Sequence, residues 1–202
     1  GYLNYMSRID AIEKTDNKNG LKEVEHSVLK KKTKEFEKKF DKENKKEERR
    51  TSEDDILNGV FTNDLDEVTG KDMRDIRKKV KQAQENESVL WQDVISFDNK
   101  YLEEIGLYNP KTERLDVEKL IKPSRKMMNK LLEKEKLQDV FWMATVHVNT
   151  DNIHIHFSTV ELNPSRKMQE HEGELTPRGK RKQSTIDDMK MAFGNDLLDN
   201  TE

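Results

Sequence analysis

Alternation of hydrophobic and polar positions predicts two neighbouring strands in the last third of the chain. The first spans Phe141–Val148 and the second spans Ile153–Leu162, and the turn-rich residues Asn149–Asn152 separate them. Side chains two residues apart share one face of a strand. His154 and His156 therefore lie side by side, and the apolar residues that alternate with them face the core. The pattern predicts a β-hairpin with one apolar face.

Hydrophobic spacing predicts mainly helices in the part of the chain that precedes this hairpin. Hydrophobic residues recur there at intervals of three and four, as on one side of a helix. Alternation of hydrophobic and polar residues returns in one further segment, which predicts a strand. In chain order, the predicted elements are a short amphipathic helix over 1–10, a long charged helix or helix pair over Leu21–Arg50, a short apolar patch over Ile56–Leu65, a helix over Asp72–Glu85, a strand over Val89–Asp98 and a helix-like turn over Asn99–Leu107.

A proline divides the next helical pattern. A helix that starts near Leu115 is expected to end at Pro123, because proline lacks the backbone N–H that a helix interior needs. Ser124 would then cap a second helix running to Leu137. Near the end of the chain, Ser184 or Thr185 is expected to cap a short helix over Ile186–Phe193.

The order of these elements predicts the fold class and the domain organisation. A strand, then helices, then two strands favours an α+β fold in which helices cover one face of an antiparallel sheet. We expect one domain over residues 1–165, with a charged helical insertion at about 21–50. Residues 166–202 are expected to form a basic, flexible C-terminal extension that carries the short helix.

Composition limits the kinds of partner and the cellular compartment that we expect for the protein. The 202 residues are 39% charged and 32% hydrophobic, with a net charge of −3, so any nucleic-acid surface must come from local clustering of cations. The absence of cysteine suits a reducing compartment. No apolar run reaches the length of a membrane span and no signal peptide is recognisable, so we expect a cytoplasmic protein without a membrane partner. The chain opens at Gly1, which we interpret as the start of a fragment.

Three histidines carry the strongest chemical signal. The hairpin brings His147 beside His154 and His156, and three converging imidazoles form a metal site with open coordination positions. A single histidine on a strand is more often an ordinary surface or core residue, so the argument rests on the spacing of all three. A closed structural zinc site is disfavoured, because it needs a fourth ligand. Asp151 is the carboxylate nearest in sequence and could orient a ligand imidazole or accept a proton, or simply form the turn.

Basic residues cluster after the hairpin. The segment Pro177–Ser184 carries four cations together with a glycine, which suits phosphate binding, although a solvated linker has the same composition. These cations are Arg178, Lys180, Arg181 and Lys182.

The histidine hairpin, followed by Asn163-Pro-Ser-Arg166, resembles motif III of the conjugative relaxases. These are mobilisation endonucleases of the HUH superfamily, and the likeness is to the MOBP class, in particular the MobL-like relaxases of Gram-positive bacteria. The segment from Tyr2 to Ser7 resembles motif I, and Trp91–Phe97 resembles motif II. The resemblance runs from Gly1 to about Met189 and implies a two-layer sandwich.

The resemblance implies a function and assigns residues to it. It implies metal-dependent, site- and strand-specific nicking of DNA at a transfer origin through a 5′-phosphotyrosine intermediate, which starts conjugation or mobilisation of a plasmid or integrative element. Tyr5 takes the position of the nucleophile, with Tyr2 as a competitor, and Ser96 takes that of the motif II serine near the scissile phosphate. Mn²⁺ or Mg²⁺ is the expected cofactor.

Partners follow from the same resemblance. We expect single-stranded and duplex DNA at a transfer origin, a coupling protein and accessory relaxosome proteins. Phosphate contacts are expected from the basic cluster after the hairpin and from Arg8, Arg166 and Lys167.

Two departures and two alternatives accompany this interpretation. Asn149 stands where many relatives have aspartate, and we interpret the first strand that the resemblance leads us to expect before Tyr2 as lying outside this fragment. A rolling-circle replication initiator would place its tyrosine after the histidines, and no tyrosine follows His156. A non-enzymatic metal-binding or nucleic-acid-binding module would leave Tyr5 far from the histidines.

Overall fold

The structure of the chain is a computed structural model that describes residues 21–29, 53–148, 152–165, 168–171, 174–177 and 181–199. For residues 21–29, 168–171 and 174–177 it describes the backbone alone. The helix predicted over residues 1–10 lies outside these ranges.

An antiparallel sheet of five strands forms the centre of the described fold, in the order β1–β5–β9–β8–β3. These strands are β1 (Leu21–Leu29), β3 (Val60–Thr62), β5 (Leu90–Phe97), β8 (Val140–His147) and β9 (His154–Glu161). The predicted hairpin is confirmed, since β8 and β9 pair from Val140–Glu161 to His147–His154. The predicted strand over Val89–Asp98 is confirmed as β5.

Short strand pairs and four helices complete the described elements. The short strands are β2 (Ile56–Leu57), β4 (Val68–Thr69), β6 (Tyr108–Asn109), β7 (Arg114–Leu115), β10 (Met168–His171) and β11 (Glu174–Pro177), paired β2–β4, β6–β7 and β10–β11. The helices are α1 (Gly70–Glu85), α2 (Asn99–Glu104), α3 (Glu118–Glu135) and α4 (Gln183–Asp199).

Helices α2, α3 and α4 pack against one face of the sheet, and the predicted α+β class with a helix-covered antiparallel sheet is confirmed. This face contributes alternate residues of the central strands to the larger apolar core, as alternation requires. Its largest buried side chains include Phe97, Trp142 and Phe157, which meet Met127, Leu131, Met189 and Phe193 from the helices.

Helix α1 covers part of the opposite face. Its buried residues Met73, Ile76, Val80 and Ala83 pack on a second apolar cluster that includes Phe141, Met143 and Val160 from the sheet. A capping box at Thr69 and Asp72 starts the helix, with the Thr69 hydroxyl accepting from the backbone N–H of Asp72. Towards the ends of β5 and β8 and the start of β9, this face carries polar residues in place of the apolar cluster.

The prediction of a helix starting at Leu21 is wrong for residues 21–29, which form β1 and pair with β5, with one register shift between Leu21 and Glu23. Val24 and Val28 share a face in a helix and equally in a strand, because four residues are close to one helical turn and are also two strand repeats. The local pattern therefore did not distinguish the two structures, and pairing with β5 decides between them. The rest of the predicted insertion, residues 30–50, lies outside the described residues.

The predicted break at Pro123 is also wrong, because α3 is continuous through it. Ser124 does not cap a helix, and its hydroxyl instead donates to the carbonyl of Leu120 at 2.6 Å. Buried residues on both sides of Pro123, among them Leu120 and Met127, enter the same core. Their burial favours one helix by more than the loss of a single hydrogen bond disfavours it.

The last helix is longer than predicted and begins at Gln183, before the two expected capping residues. Met189, Phe193 and Leu197 recur at intervals of four and are all buried in the larger core. Helix α4 therefore belongs to the same core as the sheet. The division of the chain at residue 165 stays a prediction.

Candidate active site

The strand register gathers the histidines on one face of the sheet. On β8 and β9, His147 pairs directly with His154, and Thr145 pairs with His156. On the other side of β9, His154 pairs with Ser96 of β5. Directly paired residues of antiparallel strands have their side chains on the same face. The sheet therefore forms one row from Ser96 through His154 to His147, and a second row that contains His156 and Thr145.

His147, His154 and His156, called here the histidine cluster, form a nearly equilateral triangle. Their ring centroids are 5.0 Å apart for His147 and His154, and 4.9 Å apart for each of the other two pairs. The predicted convergence of the three imidazoles is confirmed. No sequence pattern alone could supply this distance, because it depends on the cross-strand pairing.

Burial controls the charge of two of these rings. His156 is only 4% exposed, and burial followed by the neighbouring His154 and His147 lowers its pKa to about 3. Burial, and then His154, also lowers the pKa of the half-buried His147. A proton on either ring would be poorly solvated and would face other imidazoles. Both rings are therefore neutral at pH 7, the form in which imidazole binds a metal ion.

A backbone contact sets the tautomer of the third ring. Nδ1 of His154 lies 2.9 Å from the carbonyl oxygen of Asn152, and since a carbonyl only accepts, Nδ1 is the donor. The lone pair of neutral His154 is then on Nε2, as in many histidine ligands. The start of β9 is itself fixed, because the backbone N–H of Ile153 donates to Oδ1 of Asn99 at 2.7 Å.

The residues of the cluster fit a divalent metal ion in donor type, protonation and spacing. Metal–nitrogen bonds of about 2.1 Å place the centroids of two imidazoles about 5 Å apart when they bind at roughly tetrahedral or octahedral angles. Nε2 of His147 is buried and has no hydrogen-bond partner among the described residues. Such atoms are uncommon in folded proteins unless they bind something.

The three imidazole rings are close together but are not yet oriented to bind one metal ion. Within residues 53–148, 152–165 and 181–199, no group of three or more His, Cys, Asp or Glu side chains has its ligand atoms already placed to hold a metal ion. The rings of His147 and His154 are nearly parallel, with 8° between their planes. Binding at all three rings would therefore require rotation about side-chain bonds, whereas the backbone register already brings the rings together.

Several residues proposed from the sequence lie outside the described ranges. These are Tyr2, Tyr5, Arg8, Asn149, Asp151, Arg166, Lys167, Arg178 and Lys180. Their assigned roles stay predictions. Ser96 is described and lies beside His154 in the first row, where a serine near the histidines was expected.

The prediction that Arg181 contacts DNA is corrected by its environment. Its side chain is fully buried and forms an ion pair with the equally buried carboxylate of Asp93. The guanidinium also lies 5.8 Å from the centre of the Trp91 ring. A buried cation needs a partner, and Asp93 supplies it on β5, so Arg181 is not presented to a phosphate at the surface. Lys182, the next residue, is exposed and stays a candidate contact.

Thr145 lies beside the histidine cluster, although the sequence pattern had not singled it out as a candidate. It stands two positions before His147 on β8 and directly opposite His156. Alternation along the predicted strand Phe141–Val148 already placed Thr145 on the face of His147. Its pairing with His156 required the register of the hairpin, which the sequence pattern does not specify by itself.

Comparison with known protein families matches residues 1–202 to the MobL relaxases. The chain belongs to the MobL relaxase family. Comparison with curated proteins and with solved structures gave no match. Membership of this family assigns the protein to relaxases, which act in mobilisation on DNA at a transfer origin.

Among the described helices, none combines the length and the apolar character needed to cross a bilayer.

Proposed function

We propose that this MobL relaxase nicks one DNA strand at a transfer origin in a metal-dependent reaction and remains attached to the strand through a tyrosine. The observation that carries the proposal is the histidine cluster, in which two rings are neutral and all three share one face with Ser96. Family membership supports the relaxase assignment, and the cluster supports the metal dependence. We further propose that the reaction takes place in the cytoplasm.

His147, His154 and His156 would hold the divalent ion, with Mn²⁺ or Mg²⁺ as the expected species. When bound, the ion would draw electron density from the non-bridging oxygens of the scissile phosphate. Neutral imidazoles leave the full charge of the ion available for this purpose. Ser96, next to His154 in the same row, would donate a hydrogen bond to the DNA close to that phosphate.

Tyr5 is the proposed nucleophile. Its phenolic oxygen would form a bond to phosphorus, the bond from phosphorus to the 3′ oxygen would break, and the 3′ oxygen would take up a proton. The phenol would lose its proton, with Asp151 as the proposed acceptor. The resulting 5′-phosphotyrosine stores a phosphodiester-like bond, so the strand can be rejoined by attack of a free 3′-hydroxyl.

Phosphate contacts along the strand are proposed from the remaining basic residues. These are Arg8, Arg166, Lys167, Arg178, Lys180 and Lys182. They would fix the position of the DNA without reading its sequence. A coupling protein and accessory relaxosome proteins are the proposed protein partners.

The decisive experiment is a denaturing gel of the protein incubated with Mn²⁺ and an oligonucleotide that carries the cognate transfer origin. We expect a covalent protein–DNA adduct from the wild type, and no adduct from Tyr5→Phe or His154→Ala. Two matched variants serve as controls, because each removes the same type of side chain at another position. Tyr108→Phe and His171→Ala are both expected to form the adduct.

Other outcomes would change the proposal in defined ways. Loss of the adduct in Tyr2→Phe, with Tyr5→Phe active, would keep the reaction and move the nucleophile to Tyr2. An adduct that forms fully in His154→Ala would contradict the role of the histidine cluster. No adduct from the wild type or from a longer chain, despite DNA binding, would favour a non-enzymatic binding module.

A further inference from the structure

Thr145 presents a buried hydroxyl at the edge of the histidine cluster. The residue is 8% exposed, and its Oγ1 has no hydrogen-bond partner among the residues that the structure describes. Buried polar atoms in folded proteins almost always have a partner in the protein, in water or in a ligand. Because this hydroxyl also lies beside the candidate active site, it is available to a polar ligand bound there.

The strand register places the Thr145 hydroxyl next to two of the three histidines. Thr145 pairs directly with His156, and Cα atoms of such pairs are about 4.5–5.5 Å apart. It also precedes His147 by two residues on the same strand face, and Nε2 of His147 is likewise buried without a partner among the described residues. The two unpartnered atoms lie on one strand and face the same side, so a ligand held at the histidine cluster would lie next to the Thr145 hydroxyl.

Thr145 and Ser96 occupy opposite corners of the site. Ser96 flanks His154 on β5, and Thr145 flanks His156 on β8. The residues that pair beyond His156 and Thr145 in their row are Val94 and Val60, which offer no polar group. Within this row of paired described residues, the hydroxyl beside His156 is that of Thr145.

We propose that the Thr145 hydroxyl donates a hydrogen bond to a non-bridging phosphate oxygen of the DNA strand bound at the histidine cluster. This inference rests on the proposed function. A phosphate oxygen only accepts hydrogen bonds, and the threonine hydroxyl supplies a donor without adding charge. Preorganised donors that meet charge developing on a reacting phosphate accelerate the reaction more than they tighten substrate binding.

The chain contains a matched control for this residue. Thr159 on β9 is also buried, and its hydroxyl also lacks a partner among the described residues. It lies on the opposite face of the sheet, paired with Trp91 and Trp142. Thr159→Val therefore makes the same chemical change in a comparable environment away from the histidines.

The test compares Thr145→Val, Thr145→Ser and Thr159→Val with the wild type in single-turnover nicking of the origin oligonucleotide with Mn²⁺. Thr145→Val is expected to lower the rate about 10–100-fold, and Thr145→Ser and Thr159→Val to stay within about threefold. Binding of the same oligonucleotide in EDTA, measured by fluorescence anisotropy, should change less than about threefold in all variants. Equal melting temperatures would show that all variants are folded. If Thr145→Val melts at a lower temperature than the wild type, Thr145→Ala takes its place in the comparison.

A phosphorothioate substrate then identifies the contacted atom. After the nick position is mapped with the wild type, sulfur replaces each non-bridging oxygen of that phosphate in turn, and sulfur is a weak acceptor. One of the two stereoisomers should slow the wild type by a larger factor than it slows Thr145→Val. Equal thio effects in both proteins, or full activity in Thr145→Val, would overturn the inference while leaving the proposed function intact. A wild type that forms no adduct would overturn both.

Discussion

The burial of individual charges separates residues that look alike in the sequence. Arg181 and Lys182 are neighbours in one basic cluster, yet the first is buried against Asp93 and the second is exposed. The sequence showed only a run of cations, which is typical of both phosphate-binding segments and solvated loops. The contact with Asp93, 88 residues away in the chain, assigns Arg181 to the interior.

Removal of Arg181 is expected to destabilise the fold strongly. Arg181→Ala leaves the Asp93 carboxylate buried without its cation, which typically costs about 3–5 kcal/mol of unfolding free energy. Lys182→Ala removes an exposed cation and should change it by less than about 0.5 kcal/mol. Urea denaturation of the two variants and the wild type measures both effects.

A double variant provides the control for this experiment. Asp93→Leu combined with Arg181→Met removes both charges, and it should recover much of the stability that Arg181→Ala loses. Unchanged stability of Arg181→Ala together with weakened DNA binding would instead restore Arg181 as a phosphate contact.

At the scale of elements, the candidate site depends on how the edge strand β3 is held against β8. Gly59, immediately before β3, accepts a hydrogen bond from the backbone N–H of Val146 at 2.8 Å. Val146 directly precedes His147. The contact between these two strands therefore lies next to the histidine cluster.

Gly59→Ala is expected to destabilise this edge more than Gly106→Ala. Both glycines have positive φ angles, +72° and +78°, a region that costs an L-residue about 1–2 kcal/mol. A Cβ at Gly59 would also lie 3.2 Å from the carbonyl oxygen of Val146, whereas a Cβ at Gly106 meets no atom within 4 Å. Gly59→Ala should therefore lose about 1 kcal/mol more than Gly106→Ala in urea denaturation. Equal losses would show that β3 shifts without strain.

At the scale of the whole molecule, the C-terminal helix joins the core that supports the site. Met189 and Phe193 of α4 pack with Phe97, whose strand also carries Ser96. The rings of Phe97 and Phe193 have centroids 5.6 Å apart. The helix therefore supports the strand that flanks the histidines, from the opposite face of the sheet.

Phe193→Ala is expected to lower the unfolding free energy by about 3–5 kcal/mol, as for other large aromatic residues deleted from a core. Met191→Ala, on the same helix but with the methionine 58% exposed, should change it by less than about 0.5 kcal/mol. Thermal unfolding followed by circular dichroism measures both variants. A small effect in Phe193→Ala would mean that α4 is a separable extension, as the domain division at residue 165 would have it.

The sequence by itself determined the strands and helices whose local hydrophobic pattern matches the side that the fold buries. Alternation around His154 and His156 fits only a strand, and the spacing of Met73, Ile76, Val80 and Ala83 fits only a helix with one buried side. The face shared by the two histidines also follows from the two-residue period of a strand. Membership of the MobL relaxases agrees with the family resemblance that the histidine hairpin indicated.

Only the tertiary structure decided the features that depend on partners distant in sequence. The spacing of Val24 and Val28 suits a helix and a strand equally, and pairing with β5 selects the strand. The register of β8 against β9 places Thr145 opposite His156, and burial against Asp93 removes Arg181 from the surface. These outcomes are set by contacts across the sheet and by exclusion of water, which no local window of sequence contains.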